Sequence, residues 1–310
     1  MRIVFMGTPQ FAVPCFEMLV KEGHEISAVV TQPDKQRGRG NKVSYCEVKE
    51  CALSHNIEVL QPEKVKNNQN FIDKIKSIAP DVIVTCAYGK ILPKEILDIP
   101  SFGCINVHAS LLPKYRGASP INKVIIEGEK ETGITTMYTD VGMDTGDILL
   151  SAKVEIGDDV TAGQLHDELS FLGARVLRET LVRLENGGIE RIPQDESRCS
   201  YANMMNKDTG KINWSKSSKD IHNLVRGTNP WPVAFTYYKD TKLKIWETKL
   251  LNQKIEDEPG KIISVSKEGI DVATGNGIIR IIEIQAPSKK RMKVSQYILG
   301  NNIEKGEMFW

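Results

Sequence analysis

Aromatic residues make up only 6% of the 310 residues and histidine occurs five times, so each histidine can be placed individually. No apolar run approaches the ~20 residues that a bilayer span requires, which excludes a membrane-spanning helix. Cysteine is present but unpaired in motif: Cys15, Cys46, Cys51, Cys86, Cys104 and Cys199 contain no C-x-x-C spacing, so neither a short-spaced zinc site nor a redox pair is expected. The start, MRIVFMGTPQF, has no basic segment and no small-residue cleavage site. A soluble cytoplasmic protein with reduced, mostly buried thiols and no metal is therefore expected. Glycine is thin where a dinucleotide would need it. Only Gly7 follows the first strand pattern, where a Rossmann fingerprint wants three glycines, and no G-x-S-x-G nucleophile elbow occurs anywhere.

What is present is globular in character, with 40% hydrophobic and 26% charged residues, and the length suits two cores better than one. The net charge of +1 conceals a division. Residues Met1 to Asn206 carry 23 Lys and Arg against 28 Asp and Glu, whereas Lys207 to Trp310 carry 18 against 12. A basic last third implies a polyanionic partner.

The pattern predicts strands at Arg2 to Gly7, Glu25 to Thr31, Glu58 to Leu60, Asp81 to Ala87 and Cys104 to Ala109, alternating with helices at Phe11 to Lys21, Val48 to His55 and Phe71 to Ile78. That alternation predicts an α/β fold, a Rossmann-like doubly wound, mostly parallel sheet. Gly133 to Asp140 and Asp147 to Ile156 are too close in sequence for a crossover and predict an antiparallel addition. A long helix starting at Thr161 ends at Gly187 and Gly188. The polar stretch that follows has no period and reads as a linker, 189–206. Beyond it come an amphipathic helix at Ile221 to Arg226, a hairpin around Lys239 to Thr241, and short strands separated by Gly260, Gly269, Gly275 and Gly277, which predict a small β-barrel over 207–310.

In a doubly wound sheet ligands bind beyond the C-terminal ends of the strands. One exit, TQPDKQRGRGNKV, is too long for a plain connection and sets Lys35, Arg37, Arg39 and Lys42 against one acid, a loop suited to phosphates. A second, CINVHASLLPKYRGASPI, is the richest in chemistry. Along a strand, i and i+2 share a face, so Asn106 and His108 point the same way. The other histidines, at positions 24, 55, 166 and 222, fall where surface roles suffice. Ser110 fits a turn hydroxyl better than a nucleophile. In VGMDTGDI, Gly142 and Gly146 bracket Asp144, and Asp140 and Asp147 are rival carboxylates that spacing alone does not separate. An Asn, a His and an Asp at one edge would serve acyl transfer without a covalent intermediate.

The blocks CINVHASLLPKYRGASPI and TGITTMYTDVGMDTGDIL closely resemble the signature of the enzymes that transfer a formyl group from 10-formyltetrahydrofolate. With FMGTPQFAVP, the RGRG loop, AYGKILPKEIL and NPWP, the resemblance covers essentially the whole chain, and the loop and NPWP narrow it to a member acting on tRNA. It implies Asn106, His108 and Asp144 as the catalytic trio, 10-formyltetrahydrofolate as co-substrate and no metal. It sets the pterin against Ala87, Tyr88, Gly89, Lys90, Ile91 and Leu92, with Ser110, Leu111, Leu112 and Pro113 beside it and Val141, Gly142 and Met143 opposite. It implies that residues 1–188 are catalytic and that the barrel is of oligonucleotide-binding type. The amine acceptor would be initiator methionyl-tRNA, met by Lys35, Arg37, Arg39, Lys42, Lys207 and Lys211; Lys216, Arg226, Lys289, Lys290 and Arg291 are further candidates for phosphate contacts. The enzyme is expected to work as a monomer. Transfer to an amino sugar or a ribonucleotide amine, or tRNA binding without catalysis, are the alternatives.

Overall fold

In RIVFMG five buried residues follow Arg2, as expected of a strand covered on both faces. The computed structural model describes residues 1–37, 42–251, 253 and 257–310. Its strands, in chain order, are β1 (Arg2–Gly7), β2 (Glu25–Val30), β3 (Lys35–Arg37), β4 (Lys42–Ser44), β5 (Val59–Leu60), β6 (Val82–Cys86), β7 (Cys104–His108), β8 (Glu131–Tyr138), β9 (Ile148–Glu155), β10 (Ala234–Tyr238), β11 (Thr241–Leu251), β12 (Ile262–Ser266), β13 (Gly269–Ala273), β14 (Ile278–Gln285) and β15 (Met292–Lys293). The helices are α1 (Val13–Lys21), α2 (Glu47–Ser54), α3 (Gln69–Ile78), α4 (Lys94–Leu97), α5 (Pro120–Ile126), α6 (Ala162–Glu185), α7 (Ser218–Gly227) and α8 (Val294–Tyr297). They divide between a unit of residues 1–120, 131–155 and 166–203 and a unit of residues 121–130, 156–165 and 204–310.

The first unit is built on a seven-stranded sheet in the order β5-β2-β1-β6-β7-β8-β9. Neighbours from β5 through β7 run parallel, and β8 and β9 add antiparallel, as the short spacing between them predicts. The chain winds outward from β1 to β5, then returns to the other side of β1 as β6. That reversal opens a crevice beyond the C-terminal ends of the central strands. Helix α3 shows how locally the elements are specified. Asn68 caps it by accepting from the Phe71 N–H, Phe71, Ile72 and Ile75 are buried, and Ala79 stops it in a left-handed conformation. Such a cap contributes about 1 kcal/mol. On α6 the expected apolar face is buried at Leu169, Leu172, Val176, Leu177 and Leu181.

The loop expected across the RGRG segment is in part a ladder: β3 and β4 pair antiparallel, Lys35 with Ser44 and Arg37 with Lys42. Arg39 lies outside the described residues.

In the second unit β10, β11, β14, β13 and β12 form an antiparallel sheet, with β15 on β14. The last residues of the chain join its two edges. Trp310 and Tyr237 exchange backbone hydrogen bonds of 2.9 and 3.1 Å, Phe309 N–H donates to Gly260 at 2.9 Å, and Ile262 N–H donates to Glu307 at 2.8 Å. The barrel is thereby closed by the segment GEMFW, too short to show a strand period. Its core gathers Trp214, Ile221, Leu243, Ile245, Ile270, Val272, Ile279, Ile281 and Phe309.

Two readings of α7 need correction. His222 is not at the surface: it is 6% exposed, its Nδ1 lies 2.9 Å from the Thr248 hydroxyl and its Nε2 lies 3.2 Å from the Asp158 carbonyl. Arg226, read as a phosphate contact, is 4% exposed and donates to the carbonyls of Gly157 and Val160. Both side chains satisfy backbone carbonyls of the turn 157–160, a role that neither charge nor periodicity reveals.

Candidate active site

Thr85 on β6 and Asn106 on β7 are register partners, so their side chains stand side by side. The Thr85 hydroxyl donates to Asn106 Oδ1 at 2.8 Å. This occupies the acceptor of the carboxamide and leaves its NH2 group as the free end.

His108, two residues on, shares the face of Asn106 and is only 6% exposed. Its Nε2 lies 3.0 Å from the Tyr115 carbonyl oxygen, which can only accept, so Nε2 carries a hydrogen. Nδ1 is left facing Asp144, 3.7 Å from Oδ2. That separation is too long for a direct hydrogen bond and suits an ion pair when the ring is protonated.

Asp144 reaches this position from the loop between β8 and β9. Its Oδ2 accepts from the Gly117 N–H at 2.7 Å. Its backbone is left-handed at φ 54°, as is that of Ala87 at 48°, so two lining residues hold a costly conformation, and so does Tyr115 at 59°, whose carbonyl meets His108. Gly146 allows the loop to fold inward, because a Cβ there would lie 1.8 Å from the Tyr138 carbonyl. Asp140, one of the rival carboxylates, also lines the cavity but is exposed, and Asp147 does not line it.

The cavity has a volume of about 400 Å³, within the range of small-molecule sites. Among its lining are Asn106, His108 and Asp144, all of Ala87 to Leu92, and Gly142 and Met143. The segment from Ser110 to Pro113 is not in that lining: Ser110 is fully buried and donates to the Lys114 carbonyl at 2.7 Å, and Leu112 is buried. Val141 is 61% exposed beside the cavity rather than in it. Tyr88 contributes to the wall, yet its ring belongs to the core cluster of Val4, Met6, Val30 and Phe71.

Ile91 and Met143 are apolar lining residues that remain 68% and 55% exposed, and the buried Thr139 hydroxyl, also in the lining, has no partner among the described residues. Apolar walls and an orphaned polar atom suit a flat heteroaromatic ligand with polar edges, such as a pterin.

Thr85, Met137, Thr139, Gly117 and Ala118 were missed as site residues. Thr85 left a trace, as the one polar residue inside the otherwise apolar run VIVTC. Lys207 and Lys211 are exposed in the second unit, where Lys207 begins a short 3-10 turn.

Comparison with known proteins adds to this geometry. The formyl transferase family model matches residues 1–181, and the model of the formyl transferase C-terminal domain matches residues 204–302. The chain is 60% identical over 309 residues to the methionyl-tRNA formyltransferase of Acetivibrio thermocellus, covering 99% of both chains. It is 56% identical over 308 residues to that of Alkaliphilus oremlandii, again covering 99% of both. Among solved structures, the N-formyltransferase of Helicobacter canadensis, in complex with folinic acid and dTDP-3-aminofucose, shares the fold with a TM-score of 0.68 at 23% identity, over 92% of this chain and 98% of that one. With Asn106, His108 and Asp144 gathered on one cavity and relatives of this identity along its whole length, the chain belongs to the methionyl-tRNA formyltransferase family.

Proposed function

We propose that the cavity around Asn106, His108 and Asp144 transfers a formyl group from 10-formyltetrahydrofolate to the α-amino group of methionine esterified to initiator tRNA. The observation that carries this is the convergence of a carboxamide NH2, an imidazole and a carboxylate on one space beside an apolar-walled slot. The co-substrate supplies an electrophilic formyl carbon on a nitrogen that leaves as an amine. Ala87 to Leu92 would hold its ring on one side and Gly142 and Met143 on the other.

The neutral amine adds to the formyl carbon, forming a C–N bond, and negative charge builds on the formyl oxygen. Asn106 is suited to donate to that oxygen with the NH2 group that Thr85 leaves free; a donor of this kind is worth about 2.7 to 4 kcal/mol. The oxyanion then re-forms the carbonyl as the carbon–nitrogen bond to the folate breaks, and the bonding pair leaves with the folate nitrogen. One proton must leave the incoming amine and one must reach the leaving nitrogen. Asp144 and the Nδ1 side of His108 are the groups placed to relay it, because Nε2 is held by Tyr115. Proton transfer by positioned groups contributes about 10²- to 10⁴-fold.

Formyl transfer is assigned to residues 1–188 and grip on tRNA to the barrel over 207–310, with the stretch 189–206 between them in sequence. Lys207 and Lys211 on the barrel, with Lys35, Arg37, Arg39 and Lys42 in the first unit, are the proposed phosphate contacts, in keeping with the basic last third of the chain. The amine would be acted on in the cytosol, by a monomer.

The test is direct. Purified protein with 10-formyltetrahydrofolate should formylate charged initiator tRNA far faster than free methionine, with a rate that falls as salt rises. Preference for free methionine, for an amino sugar or for water as acceptor would overturn the reading.

A further inference from the structure

The SLLPKYRG turn holds both ionisable members of the trio through its backbone: Tyr115 through its carbonyl to His108, and Gly117 through its N–H to Asp144. The position of that turn therefore sets the separation between imidazole and carboxylate. What sets the turn is a strap in the polar stretch expected to be a linker. Arg116 N–H donates to the Ser200 carbonyl at 2.8 Å, Ala202 N–H donates to the Arg116 carbonyl at 2.7 Å, and Tyr115 N–H donates to the Ser200 hydroxyl at 2.9 Å. A Cβ on Gly117, whose φ is 112°, would lie 2.9 Å from the Ala202 carbonyl, so the strap runs tight against the turn.

Side chains repeat the arrangement. Arg116 is fully buried, and its Nε and Nη2 donate to Gln194 Oε1 at 3.0 and 2.8 Å, while Nη1 and Nη2 donate to the Glu196 carboxylate at 3.0 and 2.7 Å. The Gln194 Nε2 then donates to the backbone carbonyls of Asp144 at 2.9 Å and Gly146 at 2.7 Å. The carboxamide is used at both ends and has one allowed orientation, since a flip would set NH2 against guanidinium and oxygen against two carbonyls. Asp144 is thus held at two points by one assembly: its Oδ2 by the residue after Arg116, its main chain by the partner of Arg116.

We infer that Gln194 and Arg116 are positioning residues for the His108 and Asp144 pair, and that the strap 194–202 is part of the catalytic apparatus of the first unit. The inference rests on the reading of this cavity as a formyl transfer site. Neither residue lines the cavity, and both act through the Asp144 loop and the KYRG turn.

Gln194→Glu separates this role from bulk stability. The new carboxylate keeps an acceptor for Arg116 but puts oxygen in place of NH2 against the carbonyls of Asp144 and Gly146, so only the loop side is broken. Displacement of reacting groups by about 1 Å costs on the order of 10²-fold in rate. The expected result is a kcat about 10- to 100-fold lower, KM for folate and for charged tRNA within about threefold, and a displaced acid limb in the kcat–pH profile. Gln194→Ala, at a half-buried site, should lower kcat in the same direction, and Arg116→Lys, which cannot fork, should follow it. Wild-type kcat and pH profile in Gln194→Glu and Gln194→Ala, in a protein whose wild type formylates tRNA, overturns the inference. So does a change confined to Tm or to KM. An inactive wild type instead overturns the reading of the site itself.

Discussion

The Thr85 hydroxyl stands 2.8 Å from Asn106 Oδ1, and the two residues are paired in register across β6 and β7. Because the hydroxyl donates, the amide presents NH2 to the cavity, the polarity that stabilising an oxyanion requires. Thr85→Val removes the donor with little change of shape, so the carboxamide can turn over. Turnover should fall about 10-fold with KM nearly constant, against about 10² to 10³ for Asn106→Ala. Thr85→Ser, which keeps the hydroxyl, should recover most of the rate. Single-turnover formylation measures all three, and a Thr85→Val rate equal to wild type would remove the assigned orientation.

How much of this was legible in the chain depends on the range of the interaction. The doubly wound sheet was legible because strands buried on both faces are near-continuous apolar runs, as in VIVTC and RIVFMG. Asn106 and His108 were legible because side chains two apart in a strand share a face. Gln194 was not: it lies in an irregular stretch whose partners at 116, 144 and 146 are brought to it only by the tertiary fold. Likewise His222 and Arg226 gave no sign that they serve the carbonyls of residues 157 to 160, because a polar residue on a helix looks the same whether its partner is water or backbone. The closing of the barrel by its last five residues was hidden for the same reason.

Tyr88 carries a buried hydroxyl with no hydrogen-bond partner among the described residues, set in an apolar cluster. An unsatisfied buried polar group costs about 1 to 3 kcal/mol. Tyr88→Phe should therefore leave the first unit as stable as wild type or more so. Burial also pushes the phenol up from 10.0 to about 12. An acid whose folded pKa is raised contributes stability that is present below pH 10 and lost as pH rises toward 12, and the Phe variant should lack that alkaline loss. Urea unfolding at neutral and alkaline pH tests both; a destabilised Tyr88→Phe would show that the hydroxyl has a partner in solution.

His222 should make the second unit sensitive to mild acid. Burial holds its pKa below the ordinary 6.5, opposed by the Asp158 carbonyl and the Asp159 carboxylate, while Arg226 lowers it further. With the folded value below the unfolded one, the unfolded chain binds the proton first. Stability is full above pH 6.5 and is lost as pH falls through the folded pKa. His222→Gln should unfold with a shallower dependence on pH between 7 and 5 than wild type. Identical slopes in the two proteins would mean that the imidazole contributes nothing to acid sensitivity.

Phe309 and Trp310 are adjacent, yet their removal should differ sharply. Phe309 is 2% exposed, stacks on Trp214 with centroids 5.7 Å apart and meets Tyr238 at 5.6 Å, whereas the Trp310 ring is 66% exposed. Phe309→Ala opens a cavity at the seam of the barrel and should cost about 3 to 5 kcal/mol. Trp310→Ala should stay within about 0.5 kcal/mol, because its contribution to the seam is the backbone pair with Tyr237, which alanine retains. Deleting residues 306–310 should do more than either, since it unpairs the edges of β10 and β12 together and leaves them open to pairing between molecules. Denaturant midpoints and light scattering separate these cases: equal losses for Phe309→Ala and Trp310→Ala, or a truncated chain that stays monomeric and stable, would show that the tail does not close the barrel.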